Sequence, residues 1–181
     1  MITGPSGVGK ATLIRGLMER VPEVELSVSA TTRKPRPGER EGVDYHFLGP
    51  DEFERHAADG DFLEHATYSG HSYGTLRSEV ERRVERGRPV VLEIEVQGAR
   101  QVREKMPEAV LVFIAPPSRD ALRARLIGRG TDTPEQVDAR MGTAEQELDA
   151  QPEFPHVIVN DRLEQATEEL VAIVRAALPD P

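Results

Sequence analysis

Cysteine and tryptophan are both absent from this sequence, and aromatic residues make up only 4% of it. The lack of cysteine excludes disulfide bonds and thiolate metal ligands, which fits a reducing compartment. The five histidines show no metal-ligand spacing. No apolar run approaches the length of a transmembrane helix, and no secretory-signal pattern is visible, so we expect a cytoplasmic protein.

Basic residues are also in deficit, because 23 Lys and Arg stand against 32 Asp and Glu and give a net charge of −9. A surface of that sign repels the phosphates of nucleic acids and of anionic membranes, so we expect neither as a partner. The length of 181 residues suits one α/β unit with small inserted lobes. The sequence leaves the oligomeric state open.

The stretch GPSGVGK at residues 4–10 is the strongest single signal in the chain. Its glycines let successive backbone N–H groups turn round one concavity, and a helix with one apolar face begins directly after it. Such N–H groups at a helix N-terminus bind anions, and Lys10 is placed to reach a terminal phosphate. The phosphate-loop pattern asks for Ser or Thr after the lysine, whereas this chain has Ala11 and then Thr12. Only residues 1–3 precede the loop, which predicts a very short first strand.

Strands alternate with helices along the rest of the chain, and this predicts a parallel sheet flanked by helices, as in P-loop NTPases. Apolar runs predict strands over residues 90–96, 110–114 and 157–159. Glu93 and Glu95 interrupt the first of these runs near its carboxyl end, where open parallel sheets bind ligands.

A basic loop occupies residues 33–45, where Arg33 and Arg36 stand among two prolines and two glycines and Tyr45 follows. Prolines fix φ, so we expect the backbone to hold these arginines in defined directions rather than leave them as a solvated surface. Arginine holds phosphate in a bidentate fork. A phosphate cradle together with a second phosphate site predicts phosphoryl transfer between two bound phosphates.

Ordered motifs over nearly the whole chain resemble those of the guanylate kinase family. They are GPSGVGK at 4–10, SVSATTR at 27–33, PRPGE at 35–39, GVDY at 42–45, Glu64, YGT at 73–75, EIEVQG at 93–98, IAPPS at 114–118, GRGT at 128–131 and VND at 159–161. Each motif is modest alone, but the ordered set is specific.

The resemblance implies transfer of phosphate from ATP to GMP with Mg²⁺. It further implies a core over residues 1–28, 76–127 and 149–181, a GMP-binding lobe over 29–75 and a lid over 128–148. The implied ATP-binding residues are Gly4, Pro5, Ser6, Gly7, Val8, Gly9, Lys10, Ala11, Thr12, Arg125, Arg129 and Asn160. The implied GMP-binding residues are Ser29, Arg33, Arg36, Tyr45, Glu64, Tyr73, Thr75, Glu93 and Glu95. The implied catalytic residues are Lys10, Arg33, Arg129 and Arg140.

Within that set, Arg33, Arg36, Tyr45 and Tyr73 would hold the GMP phosphate. Ser29, Glu64 and Thr75 would read the guanine. A carboxylate can accept hydrogen bonds from both N1–H and the exocyclic amine of guanine, which adenine cannot offer.

Ala11 is a departure from the strict loop pattern, because it removes a metal-binding hydroxyl. Mg²⁺ would then be held mainly through phosphates and water, with Glu93 as an outer partner, which its preference for retained water allows. Two alternatives stay open at this point. The chain could be a catalytically silent protein-binding module of the same family, or a sister kinase acting on a phosphorylated sugar. The retained glycines with Lys10 disfavour the module, and Glu64 with Thr75 disfavours the sugar kinase.

Overall fold

The computed structural model describes residues 1–68, 70–128, 130 and 133–178, which form nine strands and seven α-helices. The strands are β1 (Ile2–Thr3), β2 (Glu25–Leu26), β3 (Ala30–Thr31), β4 (His46–Phe47), β5 (Phe62–Tyr68), β6 (His71–Leu76), β7 (Val90–Val91), β8 (Val112–Ala115) and β9 (His156–Val159). The helices are α1 (Lys10–Arg20), α2 (Pro50–Asp59), α3 (Arg77–Val84), α4 (Val96–Lys105), α5 (Arg119–Gly128), α6 (Pro134–Asp149) and α7 (Leu163–Ala177).

Two compact units divide the chain. The first contains Met1–Pro22, Glu93–Val96 and Val110–Pro181, and the second contains Glu23–Leu92 and Gln97–Ala109. The predicted division into core, inserted lobe and lid remains a prediction.

The first unit is built on a parallel sheet with the strand order β1-β8-β9. The predicted short first strand is confirmed: β1 has two residues, and the Ile94 N–H donates to the Ile2 carbonyl at 3.2 Å. Helix α1 packs on α7, where Gly16 lets the two approach closely, because a Cβ there would lie 2.9 Å from Thr167 Cγ2. Phe113 and Ile114 are fully buried, as expected of a strand covered on both faces.

The second unit contains a four-stranded sheet with the order β4-β3-β6-β5. Strands β5 and β6 form an antiparallel hairpin, β3 runs antiparallel to β6, and β4 runs parallel to β3. Ala30, Phe53 and Phe62 form a small buried cluster beneath it, with the rings of Phe53 and Phe62 stacked at 4.5 Å. A separate parallel pair joins β2 and β7.

The strand predicted over residues 90–96 is wrong in its second half. Only Val90 and Val91 form β7, Glu93 makes a single bridge to Ile2, and Val96 is already the first residue of α4. Sequence reasoning missed α4 altogether, although Val96, Ala99, Val102 and Met106 repeat at helical spacing and the first three are buried.

Candidate active site

The phosphate loop occupies residues 4–9 of the first unit, and α1 begins at Lys10. Gly4 has φ of +135°, and a Cβ there would collide with the Ile114 carbonyl oxygen of β8. Gly9 has φ of +100°, and a Cβ there would lie 2.6 Å from Asn160 Nδ2. Both positions therefore need glycine for conformation and for space.

Lys10 is buried and folded back onto its own loop. Its ammonium group donates to the Gly4 carbonyl at 2.5 Å and reaches the Pro5 carbonyl at 3.4 Å. A bound phosphate would offer the ammonium a stronger, charge-assisted partner than these carbonyls.

Three side chains from later in the chain support the loop. Asn160 Nδ2 donates to the Val8 carbonyl at 2.8 Å. Arg125 reaches the same carbonyl at 3.3 Å and donates to the Asn160 carbonyl at 2.7 Å. Arg140 of α6 donates to Ser6 Oγ at 3.3 Å. The structure thus brings Asn160, Arg125 and Arg140 to the loop, where Asn160 acts as a support for its backbone.

An acidic pair lies beside the loop and involves one residue that sequence reasoning did not select. The carboxyl groups of Glu95 and Glu147 are hydrogen-bonded to each other, and Glu147 also accepts from the Ser6 N–H. The Oε2 atoms of Glu147 and Glu95 are both buried, and neither has a hydrogen-bond partner among the described residues. Burial and the Glu95 carboxyl raise the pKa of Glu147 to about 9, so the pair holds one proton near neutral pH.

Glu93 lies half-buried in the same unit. Burial raises its pKa, while the charge of Lys10 acts in the opposite direction and Glu95 adds to the rise. Ala11 and Thr12 are both exposed at the start of α1. Within the described ranges no group of three or more His, Asp or Glu side chains could by itself cage a metal ion.

The second unit contains the basic loop, which is organised around Arg33. Its guanidinium donates to Glu39 Oε1 at 2.8 Å and to the Lys34 carbonyl at 2.8 Å. It also lies over the Tyr45 ring, 5.1 Å from the centroid. The hydrogen bond that Arg33 donates to Glu39 is the main cause that raises the pKa of Arg33, and Tyr73 contributes as well. Arg33, Tyr45 and Tyr73 thus form one cluster, with the tyrosine rings 6.2 Å apart.

Arg36 is exposed in the same loop, and its N–H donates to Glu39 Oε2 at 2.7 Å. Two hydrogen bonds hold the pKa of the Glu39 carboxyl below its usual range. The larger effect comes from the Arg33 side chain and the smaller one from the Arg36 backbone N–H. Glu39 therefore links Arg33 to the backbone of Arg36. Sequence reasoning gave it no role. Ser29 lies next to β3, where its carbonyl accepts from His46 N at 2.9 Å.

Glu64 and Thr75 meet in the β5–β6 hairpin, where Thr75 Oγ1 donates to Glu64 Oε1 at 2.7 Å. Both residues are buried. Arg129, which sequence reasoning placed at the ATP phosphates, lies outside the described residues. The structure thus places Glu93 and Glu95 near Lys10 in the first unit, and Arg33, Glu64, Tyr73 and Thr75 in the second.

Comparison with known proteins adds an independent observation. The family model described as guanylate kinase matches residues 1–177. The guanylate kinase of Streptomyces coelicolor is 53% identical over 173 residues, which cover 96% of this chain and 88% of that protein. The guanylate kinase of Mycolicibacterium paratuberculosis is 52% identical, with 99% of this chain and 82% of that protein covered.

Solved structures agree with these matches. The crystal structure of guanylate kinase from Anaplasma phagocytophilum has a TM-score of 0.79 and 34% identity, and covers 99% of this chain and 86% of that one. A gluconokinase from Sinorhizobium meliloti has a TM-score of 0.52 at 19% identity and shares the fold alone. The parallel sheet and the phosphate loop define a protein of the P-loop NTPase class. Within that class, the chain belongs to the guanylate kinase family.

No helix in the described part of the chain has both the length and the apolar character that crossing a membrane requires.

Proposed function

We propose that this protein transfers the terminal phosphoryl group of ATP to GMP and releases ADP and GDP. The observation that carries the proposal is the coexistence of an intact phosphate loop with a buried Glu64–Thr75 pair, because the first binds a nucleotide phosphate and the second suits a guanine edge. The family match supports the same reaction.

In the donor half of the reaction, the loop N–H groups and Lys10 hold the ATP phosphates. Lys10 leaves the Gly4 carbonyl and stabilises charge on the transferred group. Arg125, Arg129 and Arg140 neutralise the remaining phosphate charge, and Asn160 keeps the loop in shape.

In the acceptor half, Arg33 exchanges Glu39 for the GMP phosphate, with Arg36, Tyr45 and Tyr73 completing its surroundings. A phosphate oxygen of GMP attacks the γ-phosphorus of ATP, and the bond to the leaving ADP oxygen breaks. Ser29, Glu64 and Thr75 read the base.

Mg²⁺ fits this residue set only as an ion held mainly by phosphates and water. The Ala11 side chain offers no oxygen, and the described residues provide no carboxylate cage, whereas the half-buried Glu93 can accept from a metal-bound water. The bound ion would supply positive charge at the phosphates.

ADP release with ATP and GMP tests the proposal directly. We expect turnover by the parent chain and its loss in Lys10→Ala, since the substitution removes the ammonium group of the loop. Arg15→Ala is the matched control, because Arg15 is an exposed cation on the same helix and should leave turnover unchanged. If the parent chain released no ADP in the presence of ATP and GMP, the proposed phosphoryl transfer would be ruled out.

Base selectivity tests the assignment of Glu64. We expect GMP to be strongly preferred over AMP, and Glu64→Gln to erode that preference, because an unpaired buried polar group costs about 1–3 kcal/mol. The measurement is kcat/KM for both acceptors at saturating ATP. Equal use of AMP by the parent chain would contradict the assignment.

A further inference from the structure

Helix α4 contacts strand β5 at the position of Glu64, and three features of this contact stand out. The first is a bulge in β5: Phe62 pairs with Leu76 and Glu64 pairs with Thr75, so that Leu63 is an extra residue in the ladder. Phe62, Leu63 and Glu64 are buried in succession, and the extra residue resets the alternation of faces just before Glu64. Glu64 itself is buried, and its carboxylate accepts from Thr75 of the neighbouring strand.

The second feature is Gly98, the third residue of α4. Its φ lies outside the positive region, so its backbone does not require glycine. A Cβ at this position would overlap Glu64 Oε2, the carboxylate oxygen opposite the one that Thr75 contacts. Glycine weakens a helix relative to alanine. Its presence here is therefore explained by the space that the Glu64 carboxylate needs.

The third feature is a pair of polar side chains on the same face of α4. Gln101 donates through Nε2 to the His65 carbonyl at 2.7 Å and accepts from His65 N at 3.2 Å. Lys105 donates to the Leu63 carbonyl at 2.6 Å and reaches the Phe62 carbonyl at 3.4 Å. Because β5 is an edge strand, these side chains replace the missing neighbour strand on both sides of Glu64.

Gly98, Gln101 and Lys105 follow one another at spacings of three and four residues, which places them in one stripe along α4. We propose that this stripe is the positioning element for the guanine-reading carboxylate: Gln101 and Lys105 clamp the backbone around Glu64, and Gly98 leaves the room its carboxylate occupies. That the base is guanine rests on the proposed function. The three residues would then determine which acceptor nucleotide is used, although none of them contacts the base.

Gly98→Ala tests the central step. We expect the KM for GMP to rise about tenfold or more, as for loss of a well-placed buried hydrogen bond, with the KM for ATP unchanged. Gly142→Ala is the matched control, because Gly142 is also a helical glycine and a Cβ there would meet nothing within 4 Å. The control should leave the KM for GMP unchanged. Equal increases in the KM values for GMP and ATP in Gly98→Ala would overturn the proposal.

A double-mutant cycle separates positioning from general damage. In a Glu64→Ala background the carboxylate is gone, so Gly98→Ala should have no further effect on the KM for GMP. The same increase in both backgrounds would contradict the proposal. Gln101→Met, which keeps the volume but removes both hydrogen bonds, should also raise the KM for GMP while leaving that for ATP unchanged, and provides a variant without any new steric conflict.

A crystal structure of Gly98→Ala gives a readout that does not depend on activity. We expect the Glu64 carboxylate to be displaced from Thr75 Oγ1. An unmoved carboxylate would overturn the positioning proposal even if the parent chain phosphorylates GMP. A displaced carboxylate in a protein that does not use GMP would instead support the positioning and refute the proposed function.

Discussion

Arg33 shows how neighbouring side chains fix the orientation of one charged group. Its guanidinium is paired with Glu39 and stacked on Tyr45, and both partners lie in the same unit within about a dozen residues. Pairing with a carboxylate and stacking on an aromatic ring both preserve the planar fork that phosphate recognition needs. Arg33 is therefore preorganised, with Glu39 as its anionic partner.

At this residue scale, Arg33→Ala and Arg36→Ala should each raise the KM for GMP and slow turnover, with ATP affinity nearly unchanged. A hydrogen bond to a charged group contributes about 1.5–3 kcal/mol, which corresponds to roughly 10–100-fold. Steady-state kinetics with each substrate varied in turn measures the effect. Arg40→Ala is the control, since Arg40 is an exposed arginine of the same loop with no assigned role. A selective rise in the KM for ATP would indicate that the basic loop belongs to the ATP site.

The Glu95–Glu147 pair leads to a prediction about pH. The pKa of Glu147 is raised to about 9 in the folded protein, so folding favours its protonated form. Its contribution to stability is complete below the ordinary carboxyl pKa of about 4.5 and is lost as the pH rises towards about 9.

Glu147→Gln removes this titration while keeping the shape and a donor for Glu95. The difference in unfolding free energy, variant minus parent, should therefore increase from pH 5 to pH 9. Urea denaturation across that range measures it, and Glu145→Gln, an exposed neighbour on α6, is the control. A difference that is flat with pH would show that Glu147 is ionised throughout.

At the scale of elements, α6 combines two contacts to one loop residue. Its Arg140 donates to Ser6 Oγ, and its Glu147 accepts from the Ser6 N–H. The helix starts with a capping box in which Thr133 and Gln136 exchange hydrogen bonds, so its N-terminus is well defined. The predicted lid over residues 128–148 includes most of this helix.

We expect amide hydrogen exchange in α6 to slow when a bisubstrate mimic is bound, because a lid that closes over phosphates loses local opening. Exchange in α7, which packs on α1, serves as the internal reference. Equal changes in both helices would indicate global stabilisation, and no change in α6 would indicate a static element.

Most elements were predictable because their signals are local. The apolar face that follows the phosphate loop predicted α1, and the apolar run at residues 110–114 predicted β8 to within two residues. Helix α4 was missed because Val96, its first residue, continues the alternation of apolar residues and glutamates that begins at Leu92. Nothing in residues 90–96 alone marks the point at which an extended chain becomes a helix.

At the scale of the whole molecule, ligand binding should add visibly to stability. ATP at 100 times its Kd should stabilise the protein by about 2.7 kcal/mol, and a chain of this size gains roughly 2–4 °C in Tm per kcal/mol. Thermal unfolding with and without ATP measures the shift.

Lys10→Ala should lose most of the ATP-dependent shift and keep the GMP-dependent one, since Lys10 and Arg33 lie in different units. Loss of both shifts would mean that the substitution unfolds the protein rather than abolishing ATP binding alone.

The sequence by itself determined the phosphate loop, the basic loop and the family, because each depends on residue types at short, fixed spacings. Glycines at residues 4, 7 and 9 let the backbone present its N–H groups, and the adjacent Lys10 adds its ammonium group. The basic loop is equally local, since Arg33 and Glu39 are six residues apart.

Only the tertiary structure decided which distant groups meet. The Glu95–Glu147 pair and the contact of Gly98 with Glu64 join residues from different elements. The physical reason is that burial and close approach depend on how separate elements pack, and neither the pKa of a carboxyl group nor the space beside a glycine is a property of its sequence neighbours.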